Sequence, residues 1–461
     1  MDINPNVFKA YDVRGIYPDE IDGFGAYRIG RAYINFLRNN PVLTGPLKIV
    51  VTADARVSSP ELKRELIKGM CDEDGNITVI DAGLSTTPMH YFLINHLDAD
   101  GGAMVTASHN PKEYNGIKLS RVGAAPIAAG LGMEEIKNTA LRGIFETKDI
   151  HGRVVTGEYL DAYVSYLLGR VSGRAIKRFR VVFDLGNGMT ALVLPHILEK
   201  LPIDAVLLCK EMDLTFPNHE ANPIKDETLA MLRESIEIEH ADFGVAFDGD
   251  GDRVSFTTAQ GRLVPSDYIL ALLAEAKLRE DPHPKIVFDL RTSKSVREYL
   301  ENIGAIGIES RVGRSFIKDS MRTHDALLGG ELSGHYFFKD FFYSDSALIA
   351  FLEVLVFLSS TQKTLDELVA PLDRYVSSGE VNIKVADTER IFDTIAAAYH
   401  DATRVSYLDG ISIEYPSFWF NVRASNTEPL LRVIMEAKNV EILSTKLGEL
   451  RILLKKSISL S

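Results

Sequence analysis

Residues 106–111 read Thr-Ala-Ser-His-Asn-Pro and close a short apolar run, Ala103, Met104 and Val105, that follows the pair Gly101 and Gly102. The run predicts a strand, and Ser108 then offers its hydroxyl at the strand's end. In α/β proteins such ends expose side chains and free backbone amides to a ligand. Ser108 is therefore a candidate acceptor or donor of a transferable group. Ser, Asn and Pro are also ordinary turn formers, so the chemical reading depends on what else the chain supplies.

A second segment supplies charge. Asp248, Asp250 and Asp252 alternate with Gly249 and Gly251; in extended geometry the carboxylates point to one side, and the glycines let the backbone curl around a small ion. Clustered like charges call for a cation, and oxygen ligands suit Mg²⁺. An EF-hand is excluded, because its sixth and twelfth positions want Gly and Glu and here hold Arg253 and Ala259. An aspartyl-phosphate phosphatase with Asp248 as nucleophile remains a rival.

Two further runs hold polar groups suited to a sugar phosphate. Glu331 and Ser333 lie between glycines after Leu327 and Leu328, short groups suited to vicinal hydroxyls, and His335 has a side chain useful for proton transfer. Arg423, Ser425, Asn426 and Thr427 precede Glu428 and Pro429. A guanidinium fork, hydroxyls, an amide and turn backbone amides would hold a phosphate that is not reacting.

These residues need elements to position them, and three segments share one plan. First strands at 49–53, 181–183 and 286–288 lead into Asp54, Asp184 and Asp289, as buried parallel strands read. Helices are expected at 60–70 and 188–200, second strands at 77–80, 205–208 and 306–309, and third strands at 102–105, 243–247 and 327–329. Each third strand runs into one of the chemical segments, so three equivalent strand ends could face one cleft. After Ala370 a Pro-containing linker leads to a smaller α+β domain, with strands at 380–385 and 411–415, a helix at 388–400 and a polar loop at 423–429. The expected domains are 1–154, 155–256, 257–371 and 372–461, carrying the serine loop, the metal loop, the sugar-recognition loop and the phosphate-binding loop.

Composition bounds the rest. The 461 residues suit three or four domains, with 46% hydrophobic and 25% charged residues at ordinary globular values. A net charge of −13 argues against nucleic acid or anionic membrane as partner. It also means that an anionic substrate must find a local basic pocket. The apolar run 347–358 contains Glu353 and is too short to span a bilayer, and the start, Met-Asp-Ile-Asn-Pro, lacks the regions of a signal peptide. A cytoplasmic location is expected. Cys71 and Cys209 lie far apart without metal-ligand spacing, which reads as reduced thiols.

Together the sites resemble the α-D-phosphohexomutase superfamily, most closely its bacterial phosphomannomutase/phosphoglucomutase branch. The resemblance covers nearly the whole chain: Ala-Tyr-Asp-Val-Arg-Gly at 10–15, the Ser108 hexapeptide, Tyr-Asn-Gly-Ile-Lys at 114–118, Phe-Pro-Asn-His at 216–219, the Asp trio with Arg253, Gly-Glu-Leu-Ser-Gly-His at 330–335, Ser-Gly-Glu at 378–380 and the run from Arg423 to Pro429. It implies three consecutive related α/β domains with mixed, mostly parallel sheets plus a C-terminal α+β domain, around a central active-site cleft that the last domain could close.

It also implies reversible interconversion of hexose 1-phosphate and hexose 6-phosphate. Ser108 is then the phosphoserine, and a hexose 1,6-bisphosphate is the intermediate and activator, which turns over so that each end meets the serine. Asp248, Asp250 and Asp252 hold Mg²⁺ together with an oxygen on Ser108. Glu331 and Ser333 select sugar hydroxyls, and Arg423, Ser425, Asn426 and Thr427 grip the resting phosphate. Arg14 and Arg253 line the reacting end, and Lys118 and His335 match residues credited with proton transfer or substrate contact.

Two positions depart from the family pattern. Arg291 stands where lysine is usual and Arg314 where histidine is usual. Both keep phosphate attraction, but arginine stays protonated and is a poor base, which moves the expected proton carrier to His335 and Lys118. Leu332 looks closer to the methionine of enzymes acting on mannose and glucose phosphates than to the glutamine usual in glucosamine-phosphate mutases. The latter remains an alternative, as does a silent sugar-phosphate-binding protein. A monomer or small homo-oligomer is expected.

Overall fold

The computed structural model describes residues 3–41, 43–146, 149–384, 389–424 and 430–459. The chain divides into two compact units, Met1–Ser266 with Ser333–Asp366, and Asp267–Leu332 with Glu367–Ser461.

In the first unit, one sheet runs in the order Val13–Ile16, Tyr114–Arg121, Gly101–Val105, Leu47–Ala53, Ile77–Leu84, Arg153–Thr156. Gly101–Val105, Leu47–Ala53, Ile77–Leu84 and Arg153–Thr156 pair in parallel. Tyr114–Arg121 returns antiparallel against Gly101–Val105, with Met104 opposite Lys118. Gly101–Val105 is buried along its whole length, as its apolar sequence requires of a strand covered on both faces. The helices Gly23–Arg38 and Ser59–Glu73 pack on this sheet by presenting Ile29, Tyr33, Leu62 and Leu66, none with any exposure. Each such side chain contributes about 1.5–3 kcal/mol on burial.

A second sheet in this unit runs Leu263–Val264, Val254–Thr258, Phe243–Phe247, Phe179–Asp184, Ile203–Leu208. Phe243–Phe247 lies parallel to Phe179–Asp184, with Ala246 opposite Asp184, and antiparallel to Val254–Thr258. The Asp trio is thus the turn between the two antiparallel strands. Ala347–Ser360 is a helix buried on every side, a core helix; its Glu353 is paired with Arg170 and Arg174. No single helix among the described residues is long and apolar enough to cross a membrane.

In the second unit, Ile306–Ser310, Lys285–Asp289 and Leu328–Gly330 pair in parallel, and a wholly antiparallel sheet runs Val376–Lys384, Leu430–Ala437, Phe418–Ala424, Ile411–Glu414, Arg404–Ser406. The helices Glu389–Ala398 and Val440–Ser459 cover that sheet through Ile395, Leu443 and Leu450.

The nine first, second and third strands expected from the sequence all form, within four residues at their ends. Two expectations are corrected. The helix at 188–200 is broken: Met189–Leu192 is a 3-10 turn and Leu194–Leu198 a short α-helix. The Met189 amide goes to the Gly249 carbonyl (2.9 Å), and Pro195 has no N–H with which to continue a helix. Arg423 is not in a loop but on the strand Phe418–Ala424; residues 425–429 lie outside the described residues.

Candidate active site

Ser108 is almost fully buried and takes a left-handed backbone, φ 54°, a conformation that costs a non-glycine residue roughly 1–3 kcal/mol and persists only where its surroundings enforce it. They do. Thr106 Oγ1 accepts from the Ser108 amide at 3.0 Å. Arg56, itself buried and paired with Asp54, donates to four carbonyls of the loop: Ser108 O and Asn110 O at 2.7 Å, Pro111 O at 2.8 Å and Tyr114 O at 3.0 Å. The planar guanidinium suits this task because several fixed donors diverge from one centre.

The Asp248 loop meets this hydroxyl. Ser108 Oγ donates to Asp248 Oδ2 at 3.1 Å. Asp248 Oδ1 accepts from the amides of Gly251, Asp252 and Arg253 at 3.0–3.1 Å, so one carboxylate oxygen folds the loop and the other faces the serine. Gly249 has no alternative: a Cβ there would stand 2.6 Å from the Ser108 carbonyl.

All three aspartates are fully buried, and their ligand atoms lie within 4.8 Å of one another. Burial first, then the carboxylates of Asp252 and Asp250, push Asp248 well above the usual carboxylate range. For Asp250 the same burial is outweighed by the Lys118 ammonium and the Thr87 hydroxyl, and it falls below that range. Lys118 Nζ donates to Asp250 Oδ2 at 2.5 Å, Asp252 Oδ2 at 2.9 Å and Thr87 Oγ1 at 3.0 Å. Lys118 and the Arg253 guanidinium, 3.9 Å from Asp248, are two cations among three carboxylates, which leaves excess negative charge. Asp250 Oδ1 is buried with no hydrogen-bond partner among the described residues, although such an oxygen is costly to leave unpaired. The donor set, all oxygen and anionic, fits a divalent cation of the Mg²⁺ type.

The remaining groups of this unit gather here. Arg253 Nε is 3.3 Å from His335 Nε2 and 3.9 Å from Asp248; His335 Nε2 lies 3.2 Å from Asp252 Oδ1, and its Nδ1 is 2.7 Å from Ser333 Oγ. Asp345 groups with Asp252 and His335, one ligand atom of each lying within 4.8 Å of the others. Arg14 reaches the serine loop through Asn110 Oδ1 at 2.6 Å and pairs with Asp12 at 2.5 Å. His109 Nδ1 is 3.2 Å from Ser108 Oγ. Burial, reinforced by Arg253 and Arg14, holds His109 well below the usual histidine range, so the ring is neutral. Arg56, Thr87, His109 and Asp345 join the site without a role expected from the sequence. His109 was signalled by its place beside Ser108; the other three carry no local signal.

In the second unit, Glu331 Oε1 accepts from the Gly313 amide at 3.0 Å, and Arg314 begins the helix Arg314–His324. Arg291 pairs with Asp289 at 2.8 Å and stands 3.5 Å from Glu380. Glu380 also pairs with Arg423 at 2.8 Å and Arg432 at 2.9 Å, so the structure joins Arg291 and Arg423 through one carboxylate. Ser425, Asn426 and Thr427 lie outside the described residues.

Four stretches of the chain match, in order, the phosphoglucomutase/phosphomannomutase alpha/beta/alpha domains I (residues 5–143), II (158–261) and III (265–375) and the C-terminal domain (380–445). The chain belongs to the phosphoglucomutase/phosphomannomutase family. It is 37% identical to a phosphomannomutase of Vibrio cholerae over 97% of this chain and 98% of that one. A phosphomannomutase/phosphoglucomutase of Pseudomonas putida is 36% identical over 94% and 92% of the two chains. The crystal structure of a phosphoglucomutase/phosphomannomutase family protein from Burkholderia thailandensis superimposes with a TM-score of 0.90 at 30% identity, covering 98% of each chain. The fold class expected from the sequence, consecutive α/β domains followed by an α+β domain, is that of the phosphoglucomutase/phosphomannomutase family.

Proposed function

We propose that the protein is a phosphohexomutase that interconverts the 1- and 6-phosphates of mannose and glucose, with Ser108 carrying the phosphoryl group. The observation that carries this reading is the 3.1 Å contact between Ser108 Oγ and Asp248 Oδ2, in a buried loop whose three carboxylates outnumber the two cations beside them. The relatives are named as phosphomannomutases and phosphoglucomutases.

Asp248, Asp250 and Asp252, with an oxygen of the phosphate on Ser108, would hold Mg²⁺, which when bound offsets charge on the transferring group. The chain's own residues carry the rest. The free sugar hydroxyl attacks the phosphorus on Ser108; the bond to Ser108 Oγ breaks and a bond to the sugar oxygen forms. The sugar hydroxyl gives its proton to His335, which passes it to solvent, and Ser108 Oγ takes up one proton from solvent, so the half-reaction balances. The 1,6-bisphosphate turns end for end, and the reverse half-reaction returns the other phosphoryl group to Ser108. Lys118, enclosed by two carboxylates, acts here as their charge partner rather than as the proton carrier.

Arg14 and Arg253 receive the reacting phosphate. Arg291, Arg314, Arg423, Ser425, Asn426 and Thr427 receive the resting one, and Glu331 and Ser333 the sugar hydroxyls. Such charged, water-borne substrates suit a cytoplasmic location. A coupled assay with mannose, glucose and glucosamine 1-phosphates, with Mg²⁺ and a hexose 1,6-bisphosphate, tests the reading. Turnover of the mannose and glucose compounds is expected. Turnover of the glucosamine compound alone would replace it with the glucosamine-phosphate mutase reading, and release of inorganic phosphate without isomerisation with the phosphatase reading.

A further inference from the structure

A second cluster of metal-type ligands lies outside the residues used above. Asp184 ends the strand Phe179–Asp184, and Cys209 directly follows the neighbouring parallel strand Ile203–Leu208, whose Leu208 is in register with Asp184. Two adjacent strand ends therefore bring a carboxylate and a thiol side by side. His219 joins them from the Phe-Pro-Asn-His segment at 216–219, a motif with no part in the chemistry above. Its Nε2 lies 2.9 Å from Asp184 Oδ2 and 3.7 Å from Cys209 Sγ, and the three ligand atoms are within 4.8 Å of one another.

The other ring nitrogen decides what Nε2 does. Nδ1 is 2.9 Å from the Glu220 carbonyl, an oxygen that can only accept, so Nδ1 carries the hydrogen. In the neutral ring Nε2 is then a lone pair aimed at a carboxylate oxygen, a repulsive arrangement unless something positive sits between. A backbone carbonyl on the remote nitrogen is how metal-bound histidines are oriented. Without a metal the positive partner between Nε2 and the carboxylate is a proton.

Tetrahedral Zn²⁺ bonded to S, N and O at about 2.3, 2.0 and 2.1 Å would place its ligand atoms roughly 3.4–3.6 Å apart; Nε2 and Sγ at 3.7 Å are near that spacing, and Nε2 and Oδ2 at 2.9 Å would part by about half an ångström to admit the ion. Asp184 is buried while His219 and Cys209 are half-buried, which leaves an approach for the ion. The ligand backbone is over-determined. Cys209 and Asn187 both hold left-handed φ, 45° and 55°; the Asn187 amide donates to Cys209 O at 2.9 Å, and Asn187 Oδ1 accepts from Asn218 Nδ2 at 2.8 Å.

We propose that Asp184, Cys209 and His219 form a site for a thiophilic divalent metal of the Zn²⁺ class, separate from the Asp248 loop. The ion replaces the thiol proton of Cys209 and the shared proton at His219 Nε2, releasing both to solvent. Bound there, it braces the 216–219 segment, whose Phe216 ring lies under Arg56 (5.4 Å), the residue that holds the serine loop.

The test uses the full chain, reduced and stripped with a chelator, then titrated with Co²⁺. A thiolate-to-cobalt charge-transfer band saturating at one equivalent is expected in the wild type and in Asp250→Asn, which disables the other cluster. The band should be absent in Cys209→Ser, unchanged in Cys71→Ser, and about tenfold or more weaker in apparent affinity in His219→Ala. In the wild type, Zn²⁺ should slow alkylation of Cys209 about tenfold or more. A band that survives in Cys209→Ser overturns the proposal. So does a wild type that shows no band and alkylates at Cys209 equally fast with and without Zn²⁺, which would leave His219 as a carboxylate-bound imidazolium.

Discussion

Ser108 Oγ donates to Asp248 Oδ2 at 3.1 Å across 140 positions of sequence. The contact joins the end of one domain's third strand to the same point in the next, and it places a hydroxyl able to carry phosphate against a cluster able to hold a cation. The proposed chemistry depends on that junction.

The unpartnered Asp250 Oδ1 gives a first prediction. Asp250→Asn keeps the side chain's volume but removes a charged ligand, so Mg²⁺ binds more weakly and kcat falls by about 10²-fold or more. Calorimetric Mg²⁺ titration alongside steady-state kinetics checks this; unchanged Mg²⁺ affinity would remove Asp250 from the metal set.

Lys118 offsets the charge of two buried carboxylates. Lys118→Met leaves them uncompensated, a loss on the order of 3–5 kcal/mol. Because a divalent cation can take over the role, the drop in Tm should be larger in EDTA than in saturating Mg²⁺. Equal drops in both conditions would mean that Lys118 does not share its carboxylates with a cation.

Arg56 anchors the serine loop through four carbonyls and pairs with Asp54. A lysine cannot reproduce that fan of donors. Arg56→Lys should retain the charge but lower kcat by about tenfold or more, with little change in KM, as expected when a nucleophile is misplaced. Wild-type kcat in Arg56→Lys would show that the loop holds its shape unaided.

Arg56 also marks the limit of what the sequence discloses. The strand ends at Asp54, Asp184 and Asp289 and the segments that follow the third strands stand out because apolar runs and short polar motifs are local properties, and the structure builds those strands. Arg56 acts on carbonyls 52–58 positions away, and Thr87 on a carboxylate 163 positions away; neither has a neighbour in sequence that announces the contact. The break in 188–200 follows from a tertiary hydrogen bond, Met189 to Gly249, that a helical pattern cannot anticipate. The reading of Arg423 as a loop residue failed because polar residues beyond it masked a strand that continues to Ala424.

A pH prediction arises in the second unit. Asp267 is buried, and burial, assisted by Glu436 and Asp289 against the Ser293 amide, raises it to about 7. The folded state then keeps a proton that the unfolded chain releases near pH 4, so this group's contribution to stability falls as pH rises from about 4 to about 7 and levels off above. Asp267→Asn can still accept from Ser293 without the charge. Its Tm should match wild type near pH 4 and exceed it by several degrees at pH 8. A Tm difference independent of pH would contradict this account of Asp267.

The central claim is that Ser108 carries the phosphoryl group, and mass mapping of peptides from the full chain after incubation with a hexose 1,6-bisphosphate tests it most directly. One acid-stable phosphate on Ser108 is predicted, absent from Ser108→Ala together with its mutase activity. A base-labile phosphate on Asp248, or undiminished turnover by Ser108→Ala, would contradict it.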